Sequence, residues 1–201
     1  RRRALTISSR RMRPVDRSLV RDVAAIAAAV GVVGLSYGAI AVAAGLPAWA
    51  VLAMSVFVFA GGSQFLAIGL LLGSPAAAVA GGLLLNTRHL PFGLAMADVI
   101  GTSWPARLLG SHLLIDESVA FALGQPDPVR RRSAYWLTGI SLFVVWNCGT
   151  VLGVLLGGVA ADPAALGLDA AFPAGLIALL LPSLRDPQAR RVALVGAAVA
   201  L

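Results

Sequence analysis

Charged and amide side chains stand in the middle of long apolar stretches of this sequence. One stretch carries Asn86, Arg88 and His89 in the segment LNTRHLP, and the next carries Asp116 and Glu117 in LIDESVA. Such groups are costly in an apolar environment unless they face one another, a cavity or a partner. An arginine and two carboxylates at one level could hold a ligand that carries charges of both signs.

Two further segments carry polar groups at the same level of their own apolar stretches. FAGGSQF holds Gln64, and VWNCGTV holds Asn147 and Thr150. Each cluster also has a plain structural interpretation, because a buried ion pair or a glycine pair can serve helix packing alone. Four clusters at one depth favour a translocation site, with these candidates: Gln64, Asn86, Arg88, His89, Asp116, Glu117, Asn147 and Thr150.

The adjacent carboxylates need separate roles. Neighbouring residues on a helix point about 100° apart, so one should face the cavity and the other Arg88. We predict Glu117 as the partner of Arg88 and Asp116 as the substrate or proton site. His112 lies four residues before Asp116 and would share its helical face. That pair would be a proton relay or a plain hydrogen bond.

The elements that must position these groups are membrane-spanning helices. Of the 201 residues, 59% are hydrophobic and 12% are charged, whereas a soluble domain carries about 25% charged residues. The apolar stretches predict an all-α, polytopic transmembrane helix bundle with six complete spans and a truncated seventh. The spans are predicted at 23–44, 49–72, 75–99, 104–123, 134–159 and 171–184, and the seventh begins near Val192.

Helix breakers lie beside the polar groups. Pro91 cannot donate to the carbonyl of Thr87 and disfavours helix at Leu90, while Gly61 and Gly62 loosen the second span. Backbone groups freed at the middle of a membrane persist only where they line a cavity or bind something. We therefore predict helices that are broken at the midplane. Their half-helix N-termini would attract carboxylates, and their C-termini would attract cations.

Arginine positions predict the orientation. The net charge is +7, all of the basic residues are arginines, and half of them lie in residues 1–21, which we predict as a basic cytoplasmic arm. With that arm inside, the basic segments 130–132 and 185–191 also fall inside, as the positive-inside rule requires. Arginines grouped beside apolar runs indicate contact with membrane lipid and argue against a nucleic-acid partner.

Signals for other classes of protein are weak. The sequence has no Gly-x-Ser-x-Gly, no His-Glu-x-x-His and no P-loop, so we do not expect an enzyme. A single cysteine, Cys148, cannot build a cysteine-based metal site, and we expect neither a metal nor a cofactor. The alternatives to a transporter are an ion or small-solute channel gated by the charged residues, and a non-transporting membrane scaffold.

Taken together, the polar segments resemble the AzlC-type branched-chain amino acid permease family. The family's Phe-Ala-Gly-x-x-Gln-Phe is met by residues 59–65, its Asn-x-Arg-His by residues 86–89 and its Asp-Glu by residues 116–117. Pro91 departs from the apolar or small residue expected at its position. The resemblance extends over most of the chain, through the segments 54–71, 83–97, 113–123 and 146–157.

This resemblance implies the large subunit of a two-component exporter. The expected substrates are branched-chain amino acids, and often methionine, moved across the bacterial inner membrane by a multi-pass protein with a cytoplasmic N-terminus. It implies a permease domain over residues 22–201 that continues beyond the last residue. It also implies a small hydrophobic membrane partner of the AzlD type. Proton coupling is a further expectation, because Asp116, Glu117 and His112 can titrate.

Overall fold

The computed structural model describes residues 17–71, 73–158 and 184–200, together with Ala170 and Ile177. Most of the predicted sixth span and residues 1–16 of the predicted arm lie outside these ranges. Every regular element in the described residues is an α-helix, as the sequence predicts. In chain order they are α1 Arg17–Ala43, α2 Ala48–Phe57, α3 Gly61–Leu71, α4 Pro75–Asn86, α5 His89–Ala95, α6 Ala97–Ile100, α7 Trp104–His112, α8 Asp116–Leu123, α9 Pro128–Gly157 and α10 Pro187–Ala200.

Two of the described helices, α1 and α9, are long and apolar enough to cross a membrane unaided. Both begin earlier than predicted. Helix α1 takes in residues 17–21 of the predicted arm, because no proline interrupts the chain there. Helix α9 takes in the arginines at 130–132, because the Asp127 side chain accepts a hydrogen bond of 2.9 Å from the Arg130 amide and Pro128 opens the first turn.

Glycines bring α1 and α9 into backbone contact. A Cβ atom at Gly34 of α1 would lie 2.7 Å from the carbonyl oxygen of Trp146, so nothing larger than glycine fits. Both helices therefore pack through faces of small residues. The two helices run parallel, because later residues of α1 meet later residues of α9. The facing glycines are Gly31, Gly34 and Gly38 on α1 and Gly149, Gly153 and Gly157 on α9.

The predicted second, third and fourth spans are each interrupted near their middle. The gaps fall at residues 58–60, 87–88 and 113–115. The third span breaks just before the predicted point at Leu90, because Pro91 occupies the first turn of α5, where its missing N–H costs no helix bond. The Thr87 hydroxyl instead donates to the Leu84 carbonyl at 2.7 Å and closes the end of α4.

Large apolar side chains cover the outside of the described helices, while small and polar side chains are buried. Leu84 and Leu94 are 73% and 83% exposed, whereas Gln64, Thr138 and Thr150 are fully buried. A soluble protein buries most of its leucines. In a bilayer the lipid is as apolar as leucine, so helices associate through small residues and hydrogen bonds. The surface is therefore that of a membrane protein.

Candidate functional site

The three helix breaks each have a local cause. In the first, Phe59 adopts a left-handed backbone conformation with φ of 39°, which is strained for a residue with a side chain. In the third, the Ser118 hydroxyl lies 2.8 Å from the Leu113 carbonyl and 3.1 Å from the Ile115 amide, so it satisfies backbone groups that the helix has released. Residues 113–115 contain neither glycine nor proline, so the sequence pattern did not predict this third interruption.

An open cavity of about 1220 Å³ lies beside the breaks. One wall is the face of α1 from Asp22 to Val33, and another is α3. Trp146 contacts both Gly34 of α1 and Gly61 of α3, so the polar end lies near the Val33 end of the α1 wall. The residues at this polar end are Gly61, Gly62, Arg88, Asp116, Glu117 and Trp146.

Arg88 pairs with Asp116, and the predicted pairing with Glu117 is wrong. The Arg88 Nη2 atom lies 3.1 Å from Asp116 Oδ2, with side chains 35% and 44% exposed. The physical reason is the break at residues 113–115. It starts a new helix at Asp116, so the rotation of the two carboxylates cannot be extrapolated from α7. The opposite charges neutralise each other at the level where an isolated charge is most costly.

Glu117 lines the same cavity and makes no ion pair among the described residues. With all three groups ionised, the cluster has one positive and two negative charges. It therefore carries one negative charge in excess, next to Arg88. A cation or a proton would remove that excess, and the carboxylate that remains available for it is Glu117.

The two histidines have different surroundings. His89 lines the cavity, and its Nδ1 atom lies 2.9 Å from the Asn86 carbonyl oxygen, so Nδ1 carries the proton there. His112 ends α7 and packs against the rings of Phe59 and Phe143, with centroids 6.1 Å and 5.5 Å away. The prediction that His112 shares a helical face with Asp116 is wrong, because residues 113–115 are not helical. A proton relay through His112 stays a prediction.

Gln64 and Asn86 border a second cavity, of about 350 Å³, between α3, α4 and the end of α2. The Ser63 hydroxyl donates to Asn86 Oδ1 at 2.6 Å and ties the two breaks together. Gln64 is fully buried beside the Tyr37 hydroxyl, and neither end of its amide has a partner of good hydrogen-bond geometry. These two candidates therefore lie away from the charged end of the larger cavity.

Asn147 and Thr150 form a third group, which joins α2 to α9. The Ser55 hydroxyl lies 2.9 Å from Asn147 Oδ1 and 3.1 Å from Thr150 Oγ1. Thr150 also donates to the Trp146 carbonyl at 2.9 Å, and Asn147 donates to the Phe143 carbonyl at 2.8 Å. Their polar atoms are used in helix packing. A direct contact of either residue with substrate stays a prediction.

Thr150→Val separates packing from substrate contact. We expect the variant to lose about 1 kcal/mol of stability, because it removes one buried hydroxyl and its hydrogen bonds. The melting temperature of the purified protein should fall, while the dissociation constant for leucine, a substrate that the family resemblance implies, stays within about twofold of wild type. A weakened leucine affinity at an unchanged melting temperature would indicate that Thr150 contacts the substrate.

Several residues of the site were absent from the sequence prediction. Trp146 lines the polar end of the larger cavity, Phe59 lines the same cavity, and the α1 wall includes Ile26 and Val33. These side chains are apolar in an apolar background, so neither type nor spacing distinguishes them. The only signal for Trp146 was its position beside Asn147 in a polar segment.

Comparison with known proteins identifies the family. The AzlC protein family matches residues 25–160, which include all three breaks, the lining of the smaller cavity and the lining of the larger cavity except Asp22. The chain belongs to the AzlC family. This AzlC-family chain is similar to an uncharacterized membrane protein of Archaeoglobus fulgidus, with 30% identity over 173 residues, 84% of this chain and 75% of the relative.

A second relative carries a functional name. The branched-chain amino acid transport protein AzlC of Bacillus subtilis is 27% identical over 128 residues, 62% of this chain. The aligned part spans 50% of that relative's length. No solved structure matches the chain significantly. Membership of the AzlC family and the membrane-protein surface together make the chain a membrane protein with a transport role.

Proposed function

We propose that this AzlC-family chain exports branched-chain amino acids, and also methionine, as the large subunit of a two-component permease. The observation that carries the proposal is the distribution of chemistry in the larger cavity. Arg88, Asp116 and Glu117 supply both signs of charge at one end, and the walls are mostly aliphatic and aromatic. A leucine molecule has the same distribution, with two opposite charges at one end and an apolar side chain. The name of the Bacillus subtilis relative supports the substrate class.

The proposed topology has six spans and a seventh that begins near Val192, with a cytoplasmic N-terminus in the inner membrane. The parallel packing of α1 and α9 is consistent with it, because an odd number of crossings must then lie between them. The broken pairs α2–α3, α4–α5 and α7–α8 supply three. The α1 wall of the cavity starts at Asp22, so the cavity would open towards the cytoplasm, where an exporter loads its substrate.

Proton coupling and the partner subunit are parts of the same proposal. A zwitterion brings no net charge, so it leaves the negative excess of the cluster unchanged. A proton on Glu117 would remove that excess during transport and would link export to the proton gradient. The exposed leucines of α4 and α5 would face lipid or the small AzlD-type subunit.

Efflux of preloaded leucine tests this function. Cells expressing the full-length protein with an AzlD-type partner should export labelled leucine faster than cells lacking either subunit. The rate should respond to an imposed pH gradient. Flux with the partner that is indifferent to the gradient would support the channel alternative. Absence of any leucine flux, with both subunits folded in the membrane, would support the scaffold alternative.

Cysteine labelling tests the cytoplasmic opening. On a Cys148→Ala background, Ala29→Cys lines the cavity, whereas Val32→Cys lies about 60° further around α1, outside the cavity lining, and Val32 is 56% exposed. In inside-out vesicles, a water-soluble maleimide should label Ala29→Cys quickly, and excess leucine should slow it. Val32→Cys should stay inert, because we expect lipid to cover it. Labelling of Ala29→Cys only from the opposite face would contradict the orientation.

A further inference from the structure

We propose that the larger cavity binds the two charged groups of an amino acid at two separate places. The first turn of α3, with Arg88, binds the carboxylate, and Glu117 binds the ammonium group. This inference rests on the proposed function and deepens it. It assigns a binding role to the backbone amides of Gly61 and Gly62.

The first turn of α3 presents unused donors to the cavity. The first amide to bond within the helix belongs to Gln64, which donates to the Ala60 carbonyl at 3.0 Å. The amides of Gly61 and Gly62 therefore have no helix acceptor, and Ala60 has no side-chain oxygen to cap them. Both glycines line the cavity, and the absence of a Cβ leaves their amides accessible.

Arg88 lies beside these amides, and its guanidinium has hydrogen-bond donors that are not in use. A Cβ atom at Gly62 would lie 3.7 Å from Arg88 Nη2. The guanidinium and the N-terminus of α3 therefore border the same part of the cavity. The one ion pair of Arg88 in the described residues joins a single nitrogen to Asp116, and its Nε atom is buried without a partner. A guanidinium has five N–H groups in a fork that fits a carboxylate.

Trp146 is buried at the same end of the cavity. It is 4% exposed, and its buried indole nitrogen has no hydrogen-bond partner. The benzene-ring edge of its indole is 3.0 Å from where a Cβ of Gly61 would be, and the residue lines the cavity. Buried donors are normally satisfied. Two kinds of donor without an acceptor therefore meet at this end of the cavity, namely the first amides of α3 and the Nε atom of Arg88.

Glu117 supplies the negatively charged group that would bind the substrate ammonium. Asp116 is occupied by Arg88, whereas Glu117 has no ion pair among the described residues and lines the cavity. The substrate ammonium would pair with the Glu117 carboxylate, while the net charge of the cluster stays unchanged. The other titratable groups that line this cavity are His89, whose Nδ1 contacts the Asn86 carbonyl, and Asp22.

Two leucine analogues test the carboxylate-binding place and the ammonium-binding place separately. 4-Methylpentanoate lacks the ammonium group, and 3-methylbutylamine lacks the carboxylate. Competition with labelled leucine is measured on the purified full-length protein with its partner. In Gly62→Ala the new methyl group makes only ordinary contacts, 3.4 Å from Leu85 and 3.7 Å from Arg88, yet it covers the amides. Gly93→Ala is the control, because its methyl group meets only Leu114, at 3.8 Å, outside the cavity.

Gly62→Ala should weaken the binding of leucine and of 4-methylpentanoate by about tenfold or more. Its affinity for 3-methylbutylamine should stay within about twofold of wild type. Glu117→Gln should weaken the binding of leucine and of 3-methylbutylamine and leave the binding of 4-methylpentanoate unchanged. Gly93→Ala should match wild type, and melting curves should show all variants folded. If wild type binds leucine and Gly62→Ala behaves like Gly93→Ala, the assignment of the two binding places is overturned and the proposed function stands. If wild type does not bind leucine, both are overturned.

Discussion

Arg88→Met is expected to reduce the amount of folded protein and to abolish leucine export, and a second change, Asp116→Asn, is expected to restore folding alone. Removing the guanidinium leaves the Asp116 carboxylate unpaired at the helix break, where it faced Arg88 at 3.1 Å. Breaking a fully buried pair costs roughly 3–5 kcal/mol. These side chains are partly exposed to the cavity, so we expect a smaller loss, of about 1–3 kcal/mol.

Fluorescence-detected size-exclusion chromatography and leucine efflux measure the two effects separately. The matched control is Arg88→Met with Glu117→Gln, which removes the same charge but leaves Asp116 unpaired. It should recover less folded protein than the pair with Asp116→Asn. Equal recovery would mean that net charge, and not the Arg88–Asp116 contact, decides stability. Normal export by Arg88→Met would contradict the central role of the cavity.

Gly153→Ala is expected to destabilise the protein strongly, although it adds one methyl group. The new Cβ would collide with the Leu35 carbonyl oxygen and lie 2.9 Å from the Ala39 amide nitrogen. Both atoms belong to the α1 backbone, so no side chain can turn aside and the two long helices must separate. Overpacking of a close interface costs about 1–3 kcal/mol or more.

Gly158→Ala is the matched control for this change. It lies at the end of the same helix, and its methyl group would make ordinary contacts, 3.5 Å from the Val154 carbonyl and 3.7 Å from that of Leu155. Its melting temperature should equal that of wild type, while that of Gly153→Ala should fall by several degrees. Equal melting temperatures for the two variants would show that the α1–α9 contact is looser than described.

The amino-acid sequence by itself determined the class of protein, the helical fold and the level of the site. These properties follow from composition and from local pattern, which need no knowledge of neighbours. A low charge content and long apolar runs require a bilayer, and a bilayer requires helices with satisfied backbones. The cost of charge in an apolar medium then brings distant polar segments together. The contacts Arg88–Asp116, Ser63–Asn86 and Gly61–Trp146 join segments that the sequence had placed at one depth.

Only the tertiary structure decided which groups face each other. Each residue turns a helix by about 100°, so the partner of Arg88 depends on rotation, and the break at residues 113–115 resets that rotation. The same break removed His112 from the face of Asp116. Packing likewise divided the polar candidates: Asn147 and Thr150 bind Ser55, while Arg88 and Glu117 line a cavity. The position of Trp146 at the cavity end follows from the close approach of α1 and α9, which is a property of the packed helices and not of any one segment.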